Sequence, residues 1–323
     1  YTGASVGGSW KWQPHNQYHV KAGARGVTWA KRQPESMSDY RAKIDTVRQP
    51  YVSHETGQWC VFPDFNEIRK YTGVNKARNF EIFRDILEDN DMGGQAHDFM
   101  MASGKLQAIC YKHEIEKTLR TPDYAGFQLL ALNDYSGQGT ALVGVLNVFF
   151  EEKGYINAAE FRRFCSPTVP LARIPKFVYT NDESFHADIE IAHFGATPLR
   201  EARTIYTVKD EYGKVYAHGT VGSSDIPIGN LFSLGSVDLD LGAIDTPQKL
   251  NLEICIENTS AVNDWDFWVY PAHVELAEGD VYTTDTLDEQ AISVLEQGGN
   301  VLITAAGKVS YGKEVVQHFT PVF

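Results

Sequence analysis

From about Lys176 onward the chain alternates, and no other property of the sequence restricts the fold as strongly. Phe185, Ala187, Ile189 and Ile191 point one way while His186, Asp188, Glu190 and Ala192 point the other. That is the period-two pattern of an antiparallel strand buried on one face. Similar runs follow at Ala202–Asp210, at Val215–Val221 after the turn Glu211-Tyr212-Gly213-Lys214, at Leu250–Glu257 and at Trp265–Tyr270. Short strands separated by Gly and Asn turns predict a β-sandwich of immunoglobulin size that ends near Pro271.

The flanking segments have a different texture. Before the sandwich, Pro50–His54 and Ala125–Leu132 read as short buried strands. Between them lie helices: Asn79–Leu87 places Phe80, Phe83 and Leu87 on one stripe, and Ser103–Leu119 carries Leu106, Ile109, Cys110, His113 and Lys117 at helical spacing. Strand, helices, strand is the α/β order. After the sandwich, Leu287–Gln297 reads as a helix closed by Gly298-Gly299, and Asn300–Thr304 as an apolar strand. This tail predicts the start of a flavodoxin- or Rossmann-like α/β domain, too short to close its own core. The expected division is 1–172, 173–272 and 273–323.

Charge and motif content narrow the chemistry. With 29 Lys+Arg against 42 Asp+Glu the net charge is −13, which argues against a nucleic-acid partner, because phosphate binding needs clustered cations. A neutral or cationic small substrate suits it better. No window approaches the roughly 20 apolar residues of a membrane span; the best, Ala141–Phe150, runs into Glu151-Glu152. The four cysteines form no Cys-x-x-Cys pair and are expected to be buried free thiols. Tyr1 is not an initiator Met, so the natural chain is expected to begin further upstream.

No cofactor or metal is expected. Gly137–Gly144 lacks the Lys-Ser/Thr of a phosphate loop, and its third glycine is displaced from the dinucleotide fingerprint. Gly3-Ala4-Ser5-Val6-Gly7 has the spacing of a serine nucleophile elbow without a strand before it. His54-Glu55 begins like a zinc-protease motif, but Gln58 stands where the second His is needed. His15 and His19 follow Pro14 and read as a loop and strand end.

The segment with the most chemistry is Ser53-His54-Glu55-Thr56-Gly57-Gln58-Trp59-Cys60. A carboxylate where a parallel strand ends faces the side on which barrel and doubly wound enzymes build their sites, so Glu55 is a candidate nucleophile or base. It also suits a buried Glu paired with Arg or Lys. Asn133-Asp134 ends the second strand in the same way, to bind a hydroxyl or to cap the following Gly-rich turn. Trp10, Trp12, Trp29 and Trp59 offer aromatic faces for a sugar ring, or pack in the core.

Three blocks carry a resemblance: Gln49–Pro63, Ala102-Ser103-Gly104-Lys105-Leu106-Gln107, and Gly126–Ala141. They resemble the late catalytic barrel of large bacterial glycoside hydrolase family 2 proteins of the β-galactosidase type. The resemblance covers about the first 170 residues, and the sandwich and α/β tail are similar to the domain order of those proteins. It implies part of a (β/α)8 TIM barrel in a retaining exo-β-glycosidase, with Tyr1–Ser5, Gln17–Val20, Tyr51–Glu55 and Phe127–Asp134 as its fifth to eighth strands. Glu55 would be the nucleophile, and His19, His54, Trp59, Asn133 and Asp134 would line the sugar pocket. The family's acid/base Glu belongs to the fourth strand, which these 323 residues do not include. The isolated chain is therefore expected to be inactive. The resemblance further implies a carbohydrate substrate, a periplasmic or extracellular bacterial location, and pairing between copies through open barrel edges. The alternatives are a non-catalytic carbohydrate-binding or scaffold protein, or a β-glucuronidase or β-mannosidase of the same family. For a uronic acid, Lys21, Arg25 and Lys105 are the candidate contacts.

Overall fold

The computed structural model describes residues 16–21, 23–27, 32–135, 142–275 and 279–308. Two compact units are present, with the break between Tyr270 and Pro271.

The first unit opens with three parallel strands in the order β1 (His19–Lys21), β2 (Tyr51–Thr56), β3 (Tyr124–Leu129). A short helix α1 (Arg41–Ile44) lies between β1 and β2, and two longer ones, α2 (Arg78–Asp89) and α3 (Ala96–Leu119), separate β2 from β3. Parallel pairing needs such crossovers. The α/β expectation for this region holds, while a closed barrel is not formed by the described residues. β3 stops at Leu129, short of the expected end; the last bond to β2 is from Leu130 N to Thr56 O (3.0 Å), where β2 itself ends. Helix α3 begins seven residues earlier than its stripe predicted, and Leu106 and Ile109 on that stripe are exposed. The proposed fifth strand, the Gly3–Gly7 motif, His15, three of the four tryptophans and most of Gly137–Gly144 lie outside the described residues.

Helix α4 (Ala158–Phe164) is fixed at its start by a capping box. Asn157 Oδ1 accepts from Glu160 N (3.0 Å) and Glu160 Oε2 accepts from Asn157 N (2.9 Å). It leads into β4 (Thr168–Arg173), β5 (Val178–Thr180), β6 (Ser184–His193), β7 (Leu199–Asp210), β8 (Val215–Ile226), β9 (Gly229–Asp240), β10 (Gln248–Ile256) and β11 (Val262–Tyr270). These form a five-stranded sheet ordered β5-β11-β10-β7-β8 and a three-stranded sheet ordered β4-β6-β9. One apolar core draws on both: Phe185, Ala187, Ile189 and Ile191 of β6 pack with Leu252, Ile254, Phe267 and Val269 of the facing sheet. The predicted alternation is thus realised, with one exception. Ala192 is buried as well, because it sits with Val169 and Leu171 of β4 against Leu119 at the end of α3.

The second unit carries β12 (Val281–Thr284), α5 (Glu289–Glu296) and β13 (Asn300–Ile303), with the two strands parallel. Asp288 caps α5 by accepting from Ala291 N (2.7 Å). The predicted helix and strand are present. No described helix is long and apolar enough to cross a membrane. All four cysteines are free, but Cys110 alone is buried; Cys60 is exposed and Cys165 and Cys255 are half-buried, which corrects the expectation of buried thiols. Cys60 follows the buried Trp59 in a loop, where adjacent side chains need not share an environment.

Candidate active site at the end of the central parallel strand

β2 is the middle strand, paired with β1 through His19–Tyr51, Val20–Val52 and Lys21–Ser53 and with β3 on its other side. Its register with β3 shifts between Ser53 and Thr56, and Glu55 lies inside that irregularity with φ 57°. A left-handed backbone at a non-glycine residue is costly and persists only where neighbours hold it. Gly57 follows at φ 81°, where a Cβ would lie 1.8 Å from Tyr111 Cε1 of α3. The chain therefore reverses tightly on α3 directly after Glu55.

The reversal leaves the Glu55 side chain partly exposed (28%) and clamped on one oxygen. Arg25 Nη1 donates to Oε2 (3.1 Å), Gln58 Nε2 donates to the same Oε2 (3.2 Å), and Arg25 also reaches the backbone oxygens of Glu55 (2.7 Å) and His54 (3.1 Å). Oε1 faces His54 Nε2 at 3.8 Å, beyond hydrogen-bond range, and the other ring nitrogen of His54 lies 3.0 Å from Gln128 Oε1 of β3. One carboxylate oxygen is thus held while its twin is presented.

The loop that supplies Arg25 is fastened by tyrosines. Tyr51 Oη accepts from Gly23 N (3.1 Å) and Ala24 N (3.0 Å), Tyr124 Oη donates to Ala24 O, and Tyr40 Oη donates to Gly26 O (2.9 Å). Burial raises all three phenol pKa values, so they remain protonated.

Of the residues expected around the sugar, the structure brings Glu55 and His54 together with Arg25, Gln58 and Gln128. His19 is elsewhere: it pairs with Tyr51, four residues and roughly 13 Å of extended chain below Glu55. It is buried, and burial, then Lys21, lowers its pKa. Trp59 faces inward, its Nε1 donating to Glu114 Oε2 (2.7 Å), so its ring is core in this conformation. Asn133 donates from its side chain to Asp134 O (3.0 Å). Asp134 is buried against Lys153 Nζ (2.6 Å) and accepts from Gly144 N (2.9 Å), the turn-capping arrangement instead of a free hydroxyl acceptor. Burial raises the Asp134 pKa and lowers that of Lys153, against their mutual attraction.

Sequence reasoning passed over two carboxylates of α3. Glu114 (1% exposed) accepts from Gly26 N, Gly57 N (3.1 Å) and the Trp59 indole (2.7 Å), and burial raises its pKa despite those donors. Glu116, two residues on, turns toward the sandwich. It accepts from Lys112 Nζ (2.6 Å), Arg120 Nη1 (3.4 Å), Asn263 Nδ2 (2.8 Å) and Trp265 Nε1 (3.0 Å). Burial alone would raise its pKa, but Lys112 and Arg120 outweigh that and hold it below the ordinary carboxylate range. Among the described residues no cluster of three His, Cys, Asp or Glu side chains is arranged to hold a metal ion.

A family model described as Domain of unknown function (DUF8488) matches residues 183–271, the sandwich strands β6 to β11. No curated protein matches the chain. Among solved structures it is similar to exo-chitosanase CsxA of Amycolatopsis orientalis (12% identity, TM-score 0.36, 58% of this chain and 21% of that one). It is also similar to the β-glucuronidase of Parabacteroides merdae (13%, TM-score 0.24, 37% and 17%) and to the CARDB domain of the PF1109 protein from Pyrococcus furiosus (14%, TM-score 0.24, 32% and 93%). The chain spans about a fifth of the length of the exo-chitosanase.

Proposed function

We propose that this chain is a fragment of a retaining exo-β-glycosidase of the glycoside hydrolase family 2 type, acting on terminal β-linked sugars, with Glu55 as nucleophile. In this reading β1, β2 and β3 are the sixth to eighth strands of a (β/α)8 barrel whose C-terminal part occupies residues 1–172. An immunoglobulin-like sandwich over 173–272 and the start of an α/β domain over 273–323 follow, in a bacterial periplasmic or extracellular protein. The observation that carries the reading is the backbone of Glu55: a non-glycine residue held left-handed at the end of the central parallel strand, with Oε2 clamped by Arg25 and Gln58 and Oε1 presented. Such a carboxylate is pre-oriented for attack on an anomeric carbon. The sequence resemblance of residues 49–63, 102–107 and 126–141 supports it independently.

Oε1 would attack the anomeric carbon as the glycosidic C–O bond breaks and the aglycone leaves with a proton from the general acid, and water, losing its proton to that same group, would then displace Glu55 and release the sugar with retained configuration. Arg25 neutralises the Glu55 charge in the resting site and remains on Oε2 as Oε1 becomes an ester oxygen. A retaining mechanism also needs a proton donor about 5 to 5.5 Å from the nucleophile. In this reading it belongs to the fourth strand of the barrel. In the full-length protein, Glu55→Gln should lower hydrolysis of an aryl β-glycoside by about a thousandfold or more; unchanged turnover overturns the assignment. A panel of β-galactoside, β-glucuronide and β-mannoside substrates then identifies the sugar.

A second reading, a non-catalytic carbohydrate-binding or scaffold protein, is favoured by one observation. Trp59 and Asp134, two of the expected pocket residues, are committed to internal partners. Sugar binding by the full-length protein without turnover of any panel substrate would decide for it.

A further inference from the structure

Glu55 and Arg25 come from different segments of the chain, and one buried residue is hydrogen-bonded to the backbone beside each of them. Arg25 lies in the loop after β1 and Glu55 at the end of β2. Each loop has anchors of its own: Tyr40, Tyr51 and Tyr124 hold residues 23–26, and Gln107 Nε2 donates to Trp59 O (2.6 Å). The Glu114 carboxylate is bonded to both. Oε1 accepts from Gly26 N, the amide next to Arg25, and Oε2 accepts from Gly57 N (3.1 Å), two residues beyond Glu55, and from the Trp59 indole (2.7 Å). Both glycines have positive φ, 86° and 81°, so each amide is turned from the usual strand direction. A carboxylate has no proton to donate and accepts on both oxygens, so it can take N–H groups from two loops at once. It stands on α3, a rigid helix of 24 residues.

We propose that Glu114 is the positioning residue of this site: its buried carboxylate sets the register between the loop carrying Arg25 and the loop following Glu55, and thereby the Arg25–Glu55 pair. Its functional weight rests on the reading of Glu55 as the working carboxylate; its structural content does not. Glutamine at 114 keeps one acceptor oxygen but turns an NH2 group toward an N–H donor, which pushes one loop away. Arg25 then loses its hold on Oε2.

The test uses the 323-residue protein and two readouts that need no turnover. The first is the Trp59 indole N–H resonance, assigned with Trp59→Phe, which should move upfield in Glu114→Gln as the charge-assisted hydrogen bond is lost. The second is carbodiimide-driven amine labelling of the Glu55 carboxyl, located by peptide mass spectrometry. Labelling should rise about tenfold in Glu114→Gln and to the same level in Arg25→Gln, with no further rise in the double variant, because both act on one pair. Trp59→Phe removes one of three donors and should give a smaller rise. Labelling of Glu55 that stays at the wild-type level in Glu114→Gln while Arg25→Gln raises it overturns the proposal. If Glu114→Gln does not fold, Trp59→Phe decides alone, a rise supporting and no change overturning it. In the full-length protein Glu114→Gln should lower kcat about tenfold with KM within about twofold, the mark of misplaced chemistry with substrate binding kept. Failure of the glycosidase reading would appear in Glu55→Gln and leave the labelling result intact.

Discussion

The parallel-sheet region and the sandwich spend their interiors on different things. The sandwich buries Phe185, Ile189, Ile191, Leu252, Ile254 and Phe267 completely and leaves most of its charges on outer faces. The parallel-sheet region buries Glu67, His113, Glu114, Glu116, Lys117, Arg120 and Asp134. Buried ions contribute little net stability because desolvation offsets their attraction, but a fully bonded buried carboxylate holds its partners in one geometry. One region is therefore built for stability and the other for placement, and substitutions should separate the two.

The largest effect should come from Phe267→Ala in the sandwich. The ring is stacked on Phe185 at 4.3 Å and fully buried, so its loss should cost about 4 kcal/mol in urea unfolding. A cost below about 1 kcal/mol would break the contrast.

The next effect belongs to the other region and depends on pH. Glu67 is 3% exposed, and burial, reinforced by Asp134, pushes its pKa up from 4.5 to about 7. The folded state holds that proton more tightly than the unfolded chain. Its contribution is therefore complete below the unfolded value and is lost as pH rises through about 7, a decline of about 3 kcal/mol. Glu67→Gln should flatten this part of the stability–pH curve. An unaltered slope would mean that Glu67 is not the titrating group.

A matched pair of glycines sharpens the comparison at the smaller end. Gly57 and Gly213 both have positive φ, 81° and 85°, but a Cβ at Gly57 would strike Tyr111, whereas nothing lies within 4 Å of one at Gly213. Gly57→Ala should cost about 3 kcal/mol and Gly213→Ala about 1 kcal/mol by thermal unfolding. Equal costs would show that backbone strain alone, and not close packing on α3, explains Gly57.

The same contrast governs what could be read from the sequence. Period-two alternation found most sandwich strands, because one buried face writes itself directly into residue order. It missed the short β4 and β5, and it missed β9, where Phe232 and Leu234 keep one phase and Val237 and Leu239 the other. A register shift between Ile189–Gly235 and Glu190–Ser233 inserts one residue and moves the apolar positions from even to odd. β12 was too short to show a period. In the parallel-sheet region, strand-end logic pointed to Glu55 and His54 at the end of β2 but not to what holds them, while Asp134 lies five residues past the end of β3. Glu114 and Glu116 look like ordinary exposed helix charges, and charge in a helix is normally assigned to solvent. Burial in α3 is concentrated in its C-terminal half, Cys110–Thr118, which the stripe read from the sequence does not distinguish from the half before it. Arg25 was considered as a contact for a uronic acid, and its pairing with Glu55 required the fold of two loops distant in sequence.

Helix α3 also bears on whether the sandwich can be separated from what precedes it. Glu116 takes its donors from both sides, Lys112 and Arg120 on its own helix and Asn263 and Trp265 on β11, while Asn230 Nδ2 donates to Leu119 O and Thr121 O (both 2.9 Å) at the helix end. A sandwich excised or grafted onto another protein would lose the acceptor of its Trp265 indole, and the helix left behind would lose its terminal cap. By this geometry residues 183–271 are not an interchangeable cassette: they splint the end of α3, and a replacement sandwich would have to present the same three polar side chains to that helix.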